Sequence, residues 1–126
     1  MTANLSRLLF AVALLLHLVS CKDRSSPFIK EGWNTPCDGI PCPVLRKKML
    51  EDLLNNHKLV GLTYRQIISK LGNVDNHEQT PSGIMRYEIT NEYTMGDIVH
   101  IKALDLYFNR DSIVTSLKLV NYDVDM

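Results

Sequence analysis

Cysteine and histidine are the side chains with the most chemistry to offer in this chain, and their spacing limits what that chemistry can be. Cys37 and Cys42 stand in Cys37-Asp38-Gly39-Ile40-Pro41-Cys42, with His57, His77 and His100 further along. A zinc site needs more ligands than this pair supplies, and none of the three histidines lies at a ligand spacing from it. Oxidoreductase pairs are usually separated by two residues and open a helix, whereas Gly39 and Pro41 fall inside this wider interval. In an oxidising compartment the pair can close a small ring, to which chain entropy assigns about 2 kcal/mol. A structural disulfide is the preferred reading, with two free thiols and redox or metal chemistry as the alternatives. Serine, threonine, histidine and acidic residues are present, but no spacing brings nucleophile, base and orienting group together. The expectation is a protein that is not an enzyme and has no cofactor, no metal and no catalytic residues.

The third cysteine has a different setting. Arg7 is the only charged side chain ahead of Cys21, and Leu8-Leu9-Phe10-Ala11-Val12-Ala13-Leu14-Leu15-Leu16 follows it as an unbroken apolar run. A basic start, an apolar centre and small residues near a processing point make an export signal. The run is too short to span a bilayer, which takes about 20 apolar residues, and polar Lys22-Asp23-Arg24-Ser25-Ser26 follows at once. An ordinary secretory signal wants small residues third and first before the cut. Here the large Leu18 comes third, with Val19 and Ser20 between it and Cys21. Leu18-Val19-Ser20-Cys21 resembles the lipobox of bacterial lipoproteins. That resemblance implies removal of residues 1–20 as a signal peptide, a diacylglyceryl group on the Cys21 thiol, and acylation of the new N-terminus. Two or more acyl chains make a stable anchor where one gives marginal residence, so Cys21 is expected to hold the protein on a membrane. Lys22 after the anchored cysteine suits delivery to the outer membrane, facing the periplasm.

Length and charge bound the remainder. The chain has 126 residues, with 14 Lys and Arg against 14 Asp and Glu, a formal net charge of +0. About 100 residues after the signal suffice for one domain. A near-neutral chain offers no electrostatic footprint for nucleic acid, so the expected partners are a membrane and a protein. Residues 21–43 read as the lipidated cysteine and a Pro-rich tether: Pro27, Pro36, Pro41 and Pro43 fall there with Gly32, Gly39 and Ser25-Ser26. Fully extended, such a stretch reaches on the order of 70 Å, and as a coil about 25 Å. Phe28, Ile29 and Trp33 are too apolar for a pure linker. Packing of Trp33 on its own domain is the preferred reading, and a partner contact through an exposed Trp33 is the alternative.

The folded domain is expected over residues 44–126. Pro43 suits a first helical turn, and Leu45, Met49, Leu50, Leu53 and Leu54 recur at steps of three and four, which predicts a helix from Pro43 to Asn56. The basic run Arg46-Lys47-Lys48 is assigned to a solvated face. In Leu62-Thr63-Tyr64-Arg65-Gln66-Ile67, Thr63 and Gln66 form a capping box with Leu62 and Ile67 as a hydrophobic staple. That second helix should run to Leu71 and stop at Gly72 in a left-handed conformation. Asn73 to Ser82 is expected to be a solvent-facing loop. Met85, Tyr87 and Ile89 then alternate with polar residues as a half-buried strand, Ile98 to Phe108 makes a longer one, and Ile113, Leu117 and Leu119 mark a third. The apolar phase slips near Ala103, which predicts a bulge or bend there, and His100 is expected on the solvent side.

Two helices and three strands, each apolar on one face, are satisfied by an α+β fold in which both helices pack on one face of an antiparallel meander. Arg46-x-x-Met49-x-x-Asp52-Leu53-Leu54, Leu59-Val60-Gly61-Leu62-Thr63-x-x-Gln66-Ile67-Ile68-x-x-Leu71-Gly72 and Leu104-x-Leu106-x-Phe108, behind a lipidated N-terminus, resemble the SmpA/OmlA (BamE-like) family. The resemblance covers roughly residues 45–120. It implies the same two-layer fold, no catalysis, and a role as a lipoprotein adaptor that contacts the outer-membrane β-barrel assembly machinery or supports envelope integrity. The same fold occurs in proteins that inhibit β-lactamases, so a periplasmic binding or inhibitor module is the alternative.

Overall fold

The computed structural model describes residues 25–37, 40–76 and 80–124. In chain order they form a single helical turn α1 (Lys30–Trp33), the strand pair β1 (Pro36–Cys37) and β2 (Ile40–Pro41), and helices α2 (Pro43–Asn56) and α3 (Tyr64–Leu71). Strands β3 (Ile84–Thr94), β4 (Asp97–Phe108) and β5 (Val114–Asp123) follow. The last three make an antiparallel sheet in the order β3-β4-β5, with the helices packed on one face, so the fold is the expected α+β meander.

Each helix forms for reasons visible in its own residues. Pro43 opens α2, where its missing N–H is one of the groups that have no helical partner in any case. Met49, Leu50 and Leu53 are buried and Leu45 and Leu54 lie against the same core. Helix α3 opens on the capping box: the Gln66 N–H donates to Thr63 Oγ1 at 3.3 Å, and the Thr63 N–H donates to Gln66 Oε1 at 2.8 Å. Two turns are marginal in isolation, and burial of Ile67 and Leu71 holds them. Gly72 ends the helix with φ 86° and ψ −164°, a combination only glycine adopts readily. The space beside it is also taken, because a Cβ there would lie 2.4 Å from Asn34 Oδ1. Asn34 uses its amide Nδ2 to donate to the Leu71 carbonyl at 2.9 Å, which ties the N-terminal turn to the end of α3.

The expected tether is folded structure from Ser25 onward. The Ser26 N–H donates to the Lys48 carbonyl and the Phe28 N–H to Asp52 Oδ2, at 2.8 and 2.7 Å. Trp33 is 0% exposed, with Phe28 edge-on at 5.8 Å and Tyr87 tilted at 6.3 Å between ring centroids. A partner contact through an exposed Trp33 is thereby excluded. The physical reason is that the sheet and α2 leave an apolar gap which the indole fills, and a fully buried aromatic of this size contributes about 3 kcal/mol or more. Cys37 and Cys42 are joined by a disulfide that clips the β1-β2 hairpin immediately ahead of α2.

The sheet departs from the sequence reading in its lengths and in the origin of its irregularity. The first strand runs on to Thr94 and the third to Asp123. Opposite Ala103 the ladder does shift, but the extra residue is Ile89 in β3, between Glu88 paired with Ala103 and Thr90 paired with Lys102. Strand β4 keeps an unbroken register with β5 from His100 to Tyr107. Its apolar phase changes because both of its faces are covered: Leu104 and Leu106 meet the helices, while Ile101 and Ala103 are buried on the other side. Leu117 leans on the core, whereas Leu119, expected to face it, is 41% exposed because the helices do not reach that far across β5.

Candidate functional site

Two arrangements of polar side chains stand out, one buried and one open. The buried one is built on Arg46, which the run of basic residues had assigned to solvent. It is 0% exposed. Its Nε donates to the Trp33 carbonyl at 2.9 Å, and its Nη1 donates to the Glu88 carbonyl at 2.8 Å and to Asp75 Oδ2. The guanidinium carbon lies 4.9 Å from the centroid of the Trp33 ring and 5.8 Å from that of Tyr87, where ring quadrupoles favour a cation. The phenol of Tyr87 donates to the Gly72 carbonyl at 2.9 Å, and burial pushes its pKa well above the usual tyrosine value. One guanidinium therefore joins the N-terminal segment, α2, the loop after α3 and β3.

Asp75 and Asn76 come from the loop expected to face solvent. Instead they run along β3 as a substitute for a fourth strand. The Asp75 N–H donates to the Arg86 carbonyl at 2.9 Å and Asp75 Oδ2 accepts from the Glu88 N–H at 3.0 Å. Asn76 Oδ1 accepts from the Arg86 N–H at 2.7 Å, and its Nδ2 donates to the Ile84 carbonyl at 3.0 Å.

The open arrangement lies where the sheet runs on past the helices. Cross-strand register aligns Glu92, His100 and Asp123 in one row and Thr90, Lys102 and Asn121 in the next, on the face that carries Leu104 and Leu106 further along. Together with Ile101 and Tyr122 these six line a hollow of about 360 Å³ bounded by strand residues alone. His100 Nδ1 contacts Asp123 Oδ1, and both side chains are more than half exposed, so this pair is screened by water and adds little to stability. On the opposite face Arg86 grips the buried Asp105 with two hydrogen bonds, Nε to Oδ1 at 2.7 Å and Nη2 to Oδ2 at 2.6 Å. The Arg86 guanidinium lies 4.5 Å from the Tyr122 ring centroid, and burial raises the Tyr122 phenol above its usual range.

The residues singled out from the sequence are not brought together. Cys21 and its box lie outside the described residues. Cys37 and Cys42 are joined to each other, Trp33 is in the core, and His57 contacts Asp52 at the end of α2 at 3.3 Å. Among the described residues no three of His, Cys, Asp and Glu gather as a metal site, and no helix is long and apolar enough to cross a membrane. Arg46 and Asp75 were missed as partners. A signal existed for Arg46, which falls three, four and seven residues before Met49, Leu50 and Leu53 and so shares their face; none existed for Asp75. Comparison with protein-family models, curated proteins and solved structures finds no match to this chain.

Proposed function

We propose that this protein is a lipid-anchored, non-catalytic adaptor of the bacterial cell envelope, attached through Cys21 to the outer membrane on its periplasmic side. The observation that carries this reading is Leu18-Val19-Ser20-Cys21 behind a basic start and an apolar run, with Ser26, a few residues later, already bonded to helix α2. An interval that short spans on the order of 15 Å when extended, so the anchor would keep the domain against the membrane surface. The α+β layer pair agrees with the SmpA/OmlA (BamE-like) resemblance, and with it a role in supporting outer-membrane protein assembly through protein contacts. Such contacts fall to the sheet surfaces left open by the helices, since Trp33 and Arg46 are consumed inside the domain.

Metabolic labelling with a tagged fatty acid tests the anchor. The wild-type protein should take up label and the Cys21→Ala protein should not; equal labelling of both overturns the reading. Brief crosslinking of the native protein in membranes tests the adaptor role. Recovery of barrel-assembly subunits is the expected result, and recovery of a single soluble enzyme would replace it with the inhibitor reading.

A further inference from the structure

The sheet has two edges, and the described residues close one of them. Along β3 the outward backbone groups from the Ile84 carbonyl to the Glu88 carbonyl are all engaged, by Asn76, Asp75 and Arg46. Beyond Glu88 that edge is interrupted by the extra residue Ile89 and by a second register shift between Glu92 and Tyr93. Along β5 the outward pairing seen among the described residues is confined to its first residue: Val114 donates to the Leu62 carbonyl at 2.9 Å and accepts from the Gly61 N–H at 2.8 Å. The Val124 N–H is directed inward, at the Val99 carbonyl of β4. Alternation along the strand then turns the backbone groups of Leu117, Leu119 and Asn121 outward, where none meets a partner among the described residues.

Edges of this length are normally blunted by proline, by bulges or by inward charges. From Ser116 to Asp123 there is no proline and no register shift, and Lys118 lies on the face away from the helices, paired with Asp105. The helix-side row beside the open edge is instead apolar at Leu117 and Leu119, the latter 41% exposed.

We propose that this edge pairs with the same edge of a second copy, extending the sheet antiparallel across a twofold axis. Self-pairing is favoured by the sequence of the strand. With Leu119 opposite Leu119 of the second copy, outward-directed residues meet outward-directed residues, Leu117 facing Asn121. The same register puts Lys118 opposite Val120 and Asp123 opposite Thr115, so no like charges meet. The two half-exposed Leu119 side chains cover one another. A twofold axis perpendicular to the sheet also keeps both helix layers on one side. Ser26 and Phe28 are bonded to α2 in that layer, so both N-terminal segments leave from the same side and two anchored copies reach one bilayer. This last agreement rests on the proposed anchor, whereas the pairing does not.

The test is the mass of the full chain in mild detergent, corrected for bound detergent, across the micromolar range. The wild type should sediment as two chains. Asn121→Pro removes an outward N–H that the single copy does not use, so it should give one chain while circular dichroism and melting temperature stay close to wild type. Leu119→Cys should form an intermolecular disulfide under mild oxidation, because facing residues of a hydrogen-bonded pair lie about 5.5 Å apart at Cα. Asp111→Cys, in the exposed turn between β4 and β5, should not. A single-chain mass for the wild type throughout overturns the proposal. So does a two-chain mass that survives Asn121→Pro in a folded protein, or equal cross-linking at Leu119→Cys and Asp111→Cys. Should Asn121→Pro fail to fold, the two cysteine variants decide alone, and loss of fatty-acid labelling would leave all of these readouts unaffected.

Discussion

Arg46 and Asp105 are the charged side chains buried among the described residues, and Arg46 is the one that joins the most segments. Its neighbours Lys47 and Lys48 reach solvent while it does not, because the helix period places it on the stripe of Met49, Leu50 and Leu53. Burying a guanidinium is costly unless acceptors surround it, and here two carbonyls and a carboxylate do so with two aromatic faces alongside. Its Nη2 finds no oxygen among the described residues, so the rings take part of that load. Arg46→Met keeps most of the packing but leaves Asp75 without its cation and two carbonyls without a donor. A loss of about 3 kcal/mol or more is expected, read as a lower urea midpoint at an unchanged slope. Arg46→Lys should recover only part of it, since an ammonium cannot reach three acceptors in one plane. Combining Arg46→Met with Asp75→Asn should cost less than the sum of the two, which a double-mutant cycle would measure.

Elements in this fold differ in how far they stand on their own residues. Helix α3 has its start and stop written locally, in the Thr63 and Gln66 pair and in Gly72, yet it is short enough to need Ile67 and Leu71 in the core. Thr63→Ala removes one acceptor from the first turn and should cost about 1 kcal/mol, seen as a shift of the thermal midpoint. The hydroxyl is exposed, so no cavity term should add to this. Strand β3 is the opposite case. Its outer edge is completed by the Asp75 N–H and carboxylate, the Asn76 side-chain amide and the helix Arg46, four groups from two other elements.

At the scale of the whole molecule, the N-terminal segment is part of the fold from Ser25, and its docking on α2 should depend on pH. Asp52 accepts the Phe28 N–H, which holds its carboxyl below the usual carboxylate range, with Asn56 and His57 adding to the effect. A carboxylate with a lowered pKa in the folded state stabilises that state above its unfolded value, about pH 4, and loses this contribution as the pH falls through the folded value. Trp33 lies a few residues beyond Phe28 and reports the docking. Its fluorescence should shift toward that of exposed indole as pH falls below about 4, and Asp52→Asn should flatten this acid response. An identical acid profile in wild type and Asp52→Asn would separate Asp52 from the docking.

The sequence by itself determined the parts of this protein that depend on near neighbours. Helix α2 begins at Pro43 and ends at Asn56, and α3 is bounded by Thr63 and Gly72, because proline, capping side chains and glycine act within one turn. The alternation of Met85, Tyr87 and Ile89 and the α+β order follow from the same short-range periods. Only the tertiary structure decided what happens across distance. It put Trp33 in the core, gave Arg46 an aspartate 29 residues away, set the extra residue in β3 opposite the place where β4 changes its apolar face, and closed one sheet edge while the described residues leave the other open. Those outcomes rest on contacts between segments far apart along the chain: the helix period puts Arg46 on the stripe of Met49, Leu50 and Leu53, but nothing local names Asp75 as its partner or tells a closed sheet edge from an open one.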